Sequence, residues 1–168
     1  MDFLGIAERT FLIFGVANKK SVAFSISQVL SEAGAKVVYV VQSQETKGSV
    51  SKILPGADIY VCDVEREHDI ENVAKEISKK YSKFDGLVHS IAFANYEGGI
   101  KPFHETRRKD FLQAVDISCY SIIAIANAFK NLLDDNASVV TISISTTKVT
   151  AEPYGYMSPV KAALDSAI

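Results

Sequence analysis

A chain of 168 residues with 48% apolar and 23% charged residues is long enough for one compact domain and too apolar for a disordered tail or a collagen-like fibre. Eighteen basic against 20 acidic side chains leave a net charge of -2, which gives no overall electrostatic footprint for nucleic acid. The longest purely apolar stretches, such as 37–41, fall far short of the ~18 residues of a membrane span, and the amino-terminal residues carry no basic region before an apolar run, so no secretory signal is expected. Cys62 and Cys119 lie in apolar-periodic segments without zinc spacing, which predicts small buried side chains rather than a disulfide, in a soluble cytoplasmic protein.

In chain order, short continuous apolar runs alternate with helical periods. Runs at 10–14, 36–41, 58–62, 86–89 and 138–143 are apolar on both faces, the pattern of strands covered on both sides in a parallel sheet. Helices are predicted near 21–34, 66–82, 106–133 and from about 154 onward. The first has Val22, Ile26, Val29, Leu30 and Ala33 on one face and Gly34 at its end; the second has Ile70, Val73, Ala74 and Ile77, with Glu71 and Glu76 outward. This order predicts an α/β, Rossmann-like doubly wound parallel sheet, strand order 3-2-1-4-5, in a single dinucleotide-binding domain over residues 1–168. The fold normally has a sixth strand, so the carboxyl-terminal strands are expected to be missing here. A protein stopping at Ile168 is expected to be inactive and to self-associate through the open edge of its fifth strand.

The loop Gly15-Val16-Ala17-Asn18-Lys19-Lys20-Ser21-Val22-Ala23 follows the first strand. It lacks the G-x-G-x-x-G triplet. Gly15 permits a tight turn, and Ser21 can cap the helix and offer donors to a pyrophosphate at the helix amino end; an ordinary strand-to-helix turn with a serine cap reads the same way. Gln42 ends the second strand where such folds place a carboxylate on the adenosine ribose, and an amide can bond the same hydroxyls. No arginine follows it, and Lys47 reads as solvated, so a 2′-phosphate would find little to bind. Asp63 and Val64 close the third strand, where an aspartate also suits a turn. His89 has no carboxylate or serine partner in its strand and reads as structural, His68 and His104 read as surface residues, and no metal-ligand spacing occurs. The basic run Arg107-Arg108-Lys109 reads as a solvated helix start.

Several segments together carry a resemblance. Gly15-Val16-Ala17-Asn18 followed by Ser21-Val22-Ala23, then Cys62-Asp63-Val64, the run from Phe84 to Ala94, and Asp116-Ile117-Ser118 resemble, in order, the bacterial enoyl-acyl-carrier-protein reductases, divergent members of the short-chain dehydrogenase/reductase superfamily. The resemblance covers the whole chain and implies that the last third of the family's length is absent. It implies cofactor contacts at Gly15, Ser21, Val22, Gln42, Asp63, Val64 and Ile91, with Ala94 beside the substrate. With Gln42 and no arginine, NADH is favoured over NADPH. It further implies an acyl-carrier-protein-linked enoyl thioester as substrate and a homotetramer, while the net charge and the short apolar stretches predict neither nucleic acid nor membrane as partner.

Tyr154 lies seven residues before Lys161, the spacing that distinguishes these enoyl reductases, whereas the position four before Lys161 is Met157, which removes the ordinary Tyr–Lys pairing. Seven residues are close to two helical turns, so both side chains are expected on one helix face. The resemblance makes Tyr154 the donor to a developing enolate and Lys161 the holder of the nicotinamide ribose. Two departures stand out. The family's second tyrosine, ten residues earlier, is Ile144 here, with Ser143 and Ser145 as its neighbours. Pro159 is tolerated only in a first helical turn, which would start the helix near Ser158 and leave Tyr154 on irregular backbone. A carbonyl reductase using Tyr154 with Ser143, and a nucleotide-binding paralogue without catalysis, are the competing readings.

Overall fold

Thr10–Phe14 (β1), Lys36–Val41 (β2), Asp58–Val61 (β3), Phe84–His89 (β4) and Leu133–Thr141 (β5) form one parallel sheet in the order β3-β2-β1-β4-β5, as right-handed crossovers predict. These positions come from a computed structural model that describes residues 2, 4–99, 101–145 and 154–168; Met1 and Phe3 of the amino-terminal stretch read above lie outside the described residues. The chain divides into two compact units, residues 1–90 with 127–141 and residues 91–126 with 142–168.

The first unit holds the whole sheet. Leu12, Ile13 and Phe14 of the central β1 are buried on both faces, as the continuous apolar run required. On one face Ile13, Tyr39, Val41, Ile59 and Val88 form a core that Phe24, Ile26 and Leu30 cover from Val22–Glu32 (α1). The helix face read from the sequence is corrected: Val22 and Val29 are 53% and 58% exposed, and Ala23 and Ser27 are the buried positions of α1. Its stripe thus centres on 23, 26, 27 and 30: Ile26 and Leu30 pack on the core as read, whereas Val22 and Val29 turn outward. Gly34 ends α1 in the left-handed region, φ 88°, with its N–H on Ser31 and that of Ala35 on Leu30, both satisfying carbonyls of the last turn.

A second helix, Gln44–Ile53 (α2), was not predicted, since only Val50 on it is buried. Ser43 caps it, accepting from the Thr46 N–H at 3.1 Å. Glu67–Ser78 (α3) buries Ile70, Val73, Ala74 and Ile77 as expected, with Glu71 and Glu76 exposed. After it, Lys80 Nζ reaches both carboxylate oxygens of Asp58 at 2.7 and 2.6 Å, and the Tyr81 phenol donates to the same carboxylate. Strand ends differ modestly from the sequence reading. β3 stops at Val61, β4 starts at Phe84, and β5 runs 133–141 rather than 138–143 because Leu133 pairs with Phe84 across an irregularity before Ser138 pairs with Gly86. Gly86 leaves room for the Phe11 ring of β1: a Cβ there would lie 2.7 Å from Phe11 Cδ1 and 3.1 Å from the Ser138 carbonyl oxygen. Phe14 and Phe129 meet edge-on at 5.9 Å.

The second unit is helical. A short 3-10 turn, Phe103–Glu105, precedes Arg108–Val115 (α4), a π-helical turn at Asp116–Tyr120 and Ser121–Phe129 (α5), whose last residues belong to the first unit. The single helix read over 106–133 is thus a run over 108–129 with a wider turn inside it, and it ends early because the chain enters β5 at Leu133. With a mean hydropathy of 1.4 this run is, by length and composition alone, long and apolar enough to cross a bilayer, as the core helix of a soluble protein also is. Ala114, Ile117, Cys119, Ile122, Ile125 and Phe129 on it are buried, as in a core helix. Arg107 is engaged by Asp110, which its guanidinium bonds through two nitrogens, while Arg108 and Lys109 are exposed. Met157–Ala167 (α6) packs against α4 and the π turn. Cys62 and Cys119 are free and buried, as read. Burial pushes the Cys62 thiol up to about 12, with Asp69 and Asp63 adding to the shift, so it is inert at neutral pH.

Candidate functional site

In the first unit the loop after β1 turns at Gly15, whose φ of 101° is open to glycine and costly for other residues. Ser21 stands at the N-cap of α1, yet its hydroxyl makes no capping bond. It turns back into the loop, accepting from the N–H groups of Ala17 and Asn18 at 3.3 Å and donating to the Asn18 carbonyl. The expected cap is therefore corrected: Ser21 shapes the loop, and the first turn of α1, opening at Val22, carries no acidic side chain. Gln42 is exposed immediately after β2, followed by the Ser43 cap and Glu45 in the first turn of α2. Asp63 accepts from the Glu65 N–H at 3.3 Å and pairs with Arg66 at 3.5 Å, the turn-forming role that was one of its two readings; Val64 follows it, half-buried. A hollow beside α2 is lined by Asn18, Lys19, Lys20, Ser49 and Ile53. It brings to one place two lysines and a serine some thirty residues apart in sequence, a grouping the sequence reading missed.

His89 is fully buried in β4, with Nδ1 3.0 Å from the Thr141 hydroxyl of β5, a structural histidine as read. His68 and His104 lie at the surface beside Asp69 and Glu105. Among the described residues no cluster of three metal-ligating side chains occurs.

In the second unit Lys161 of α6 is only 3% exposed. Its Nζ donates to the carbonyls of Ile91 at 3.2 Å and Ile142 at 2.8 Å. Burial pulls its pKa below the ordinary lysine value, against smaller opposing contributions from Asp165 and Cys119. Tyr154 precedes α6 rather than sharing its face. Pro159 falls in the first turn, where its missing N–H costs nothing, so the helix starts at Met157 and the expected two-turn pairing is replaced by a tyrosine on the entering segment. Its side chain is 41% exposed, and the next residue, Gly155, is left-handed at φ 48°.

The loop from Ile91 carries Ala94, half-buried, and three groups the sequence reading left without a role hold it. Ser118, in the π turn, accepts from the Phe93 N–H at 2.9 Å and donates to the Phe93 carbonyl at 3.1 Å. Tyr156 donates to the Asn95 carbonyl at 2.9 Å, and Tyr96 to the Tyr154 carbonyl at 3.2 Å. A serine in the matched Asp116-Ile117-Ser118 segment was the only signal for any of the three. Ser143 stands two residues beyond β5, and its buried hydroxyl, like that of Ser158, finds no partner among the described residues. Ile144, half-buried beside it, offers no donor.

The sequence model of the enoyl-(acyl carrier protein) reductases matches residues 15–168. The chain is 34% identical to the enoyl-(acyl-carrier-protein) reductase (NADPH) FabI of Staphylococcus aureus over 168 residues, covering 97% of this chain and 66% of that protein. It is 33% identical to the NADH enzyme of the same name from Escherichia coli, covering 99% and 64%. The crystal structure of enoyl-(acyl-carrier-protein) reductase (NADH) from Aquifex aeolicus superposes with a TM-score of 0.93 at 31% identity, over 97% of this chain and 66% of that one. The chain thus spans just under two thirds of the length of these relatives. With the matched loop, sheet order and Tyr154/Lys161 segment in place, it belongs to the enoyl-(acyl carrier protein) reductase family.

Proposed function

We propose that the protein reduces a trans-2-enoyl-acyl-carrier-protein to the saturated acyl thioester with NADH, as a step of fatty-acid biosynthesis. The observation that carries this reading is the buried Lys161 cation, anchored by the Ile91 and Ile142 carbonyls, with the Tyr154 phenol presented on the segment just before its helix. An ammonium has three N–H donors, and two are engaged by these carbonyls, so one is left for a ribose hydroxyl. Gly15 provides the tight turn and α1 an uncapped, non-acidic amino end for a pyrophosphate. These features fit a nicotinamide dinucleotide.

When bound, NADH would supply a hydride to the β-carbon of the enoyl thioester, and a proton taken from solvent at the α-carbon would complete the saturated product. Negative charge then develops on the thioester oxygen, and the Tyr154 O–H donates to it most strongly in the transition state, where the charge is largest. Lys161 holds the ribose and adds a positive charge nearby. Gly15, Val22 and the loop that Ser21 shapes take the pyrophosphate, Gln42 the adenosine ribose, Asp63 and Val64 the adenine, Ile91 the nicotinamide side and Ala94 the substrate. Residues 1–168 act as one dinucleotide-binding domain, whose five-stranded sheet lies in the first unit. The protein is cytoplasmic and assembles as a homotetramer; exposed Leu112, Tyr120 and Ile123 along 108–129 support the latter.

Two observations favour second readings. The unpartnered Ser143 hydroxyl suits a carbonyl reductase using Ser143 with Tyr154, and Lys19 and Lys20 beside Ser49 suit NADPH. The natural full-length protein is assayed with crotonyl thioester and with simple ketones, following nicotinamide absorbance. Turnover of the thioester alone supports the enoyl reductase, ketone turnover the carbonyl reductase, and dinucleotide binding without turnover a non-catalytic paralogue. Titration of both cofactors is expected to favour NADH at least tenfold, about 1.4 kcal/mol; equal or reversed affinities point to the lysine hollow.

A further inference from the structure

We infer that Tyr96 and Tyr156 are positioning residues, forming a reciprocal clasp that sets Tyr154 against the loop carrying Ala94; this rests on the enoyl reductase reading above. The Tyr96 phenol donates to the Tyr154 carbonyl at 3.2 Å, and the Tyr156 phenol donates back to the Asn95 carbonyl at 2.9 Å. The two bonds run in opposite directions between the same two segments, 95–96 and 154–156. A single bond would leave a hinge about its own axis; two opposed bonds fix both separation and rotation. The rings between them pack at 5.5 Å between centroids with planes tilted by 45°, and Phe111 closes on Tyr156 at 6.3 Å.

The local backbone is built for this arrangement. Gly155, left-handed at φ 48°, stands between the tyrosine whose carbonyl accepts and the tyrosine whose phenol donates, and its Cα faces Tyr96, whose hydroxyl a Cβ would approach to 3.7 Å. Tyr156 is 6% exposed and already bonded, so its hydroxyl is withdrawn from any substrate, whereas the Tyr154 side chain is exposed. Burial pushes the titration of both Tyr96 and Tyr156 upward, which keeps both as protonated donors through the neutral range. Misplacing a reacting group by about 1 Å can cost on the order of a hundredfold in rate, so the clasp bears on catalysis although neither phenol touches the reacting atoms.

The test makes Tyr96→Phe and Tyr156→Phe, which keep the rings and remove the hydroxyls, in the natural full-length protein and again in a Tyr154→Phe background. Each single change is expected to lower kcat for crotonyl thioester about fivefold, the value of one net hydrogen bond, with KM and NADH affinity within about twofold. In the Tyr154→Phe background neither is expected to lower kcat further, because both act through Tyr154. Amide exchange is expected to rise in both 93–99 and 154–157 for either variant. An undiminished kcat loss without the Tyr154 hydroxyl, or faster exchange confined to the altered segment, would overturn the clasp. Absence of thioester turnover in the unaltered protein would instead overturn the enoyl reductase reading, and the exchange measurement would then judge the clasp alone.

Discussion

The Lys161 ammonium donates to the Ile142 carbonyl at 2.8 Å, which fixes the buried cation one residue before the Ser143 hydroxyl, unpartnered among the described residues. The chain between β5 and α6 thus starts from a charged anchor. Because burial holds the Lys161 pKa below the ordinary lysine value, the cation is lost at a lower pH than for a solvated lysine. NADH affinity is therefore expected to weaken as pH rises, before the ordinary lysine range is reached. Lys161→Met is expected to weaken binding about tenfold or more at pH 7 and to remove that pH dependence. Fluorescence titration of NADH between pH 7 and 10.5 measures both, and a flat profile in the unaltered protein would count against the role given to Lys161.

Tyr154 and Tyr156 differ in what their hydroxyls face, and substitution separates them. Tyr154→Phe is expected to lower turnover of an enoyl thioester about a hundredfold or more, the usual cost of removing a transition-state donor, with NADH affinity nearly unchanged. Tyr156→Phe loses only the bond to Asn95 and is expected to cost far less. Steady-state kinetics on the two variants decide it; a larger loss at Tyr156 reverses the assignment of the phenolic donor.

Asp58 opens β3 and receives Lys80 and Tyr81, whose hydrogen bonds hold its carboxyl below the usual carboxylate range. A depressed folded pKa means that this stabilisation is present above the unfolded value and is lost as pH falls through the folded one. Asp58→Asn is expected to lower Tm at pH 7, with the difference from the unaltered protein shrinking to nothing in acid, below the usual carboxylate range. Thermal melts from pH 7 down to pH 2.5 test this, and a gap that persists in acid would show that the pair does not contribute through its charge.

At Gly86 the space a side chain would need is filled by Phe11 of the neighbouring strand. Gly86→Ala is expected to destabilise the protein by about 1–3 kcal/mol through overpacking. Adding Phe11→Leu should recover part of that loss, since the smaller side chain gives way. Urea unfolding of the single and double variants reads the coupling, and simple additivity would mean that the strain lies at the Ser138 carbonyl instead.

β1 and β2 were legible because each reads as an apolar run, and a run buried on both faces leaves few alternatives to a central parallel strand; β5 departs from that reading, since none of its residues is fully buried and Val140 is 48% exposed. α2 was not legible: with Val50 its only buried residue, nothing marks its face except the Ser43 cap. On α1, Val22 and Val29 satisfied the period and yet face outward, because periodicity cannot say how wide a face the sheet will cover. Pro159 did foretell the late start of α6 and so the place of Tyr154. The tyrosine clasp was invisible, as its bonds join residues 58 and 61 positions apart and a buried phenol has no sequence mark of its own. The same holds for Lys19 and Lys20, which only the packing of loop and α2 brings beside Ser49.

The wide turn at Asp116–Tyr120 has a consequence for how chain length can vary in this protein. Removing or adding a residue elsewhere in the 108–129 run would rotate everything beyond it by about 100°, carrying Ile125 and Phe129 out of the core. A π turn already absorbs one surplus residue, so a single deletion within it relaxes to ordinary α-helix and leaves both flanks in phase. What such a deletion takes away is the hold of Ser118 on Phe93. The turn is therefore the one place in the run where a shortened chain would keep its fold and loosen the loop that carries Phe93 and Ala94.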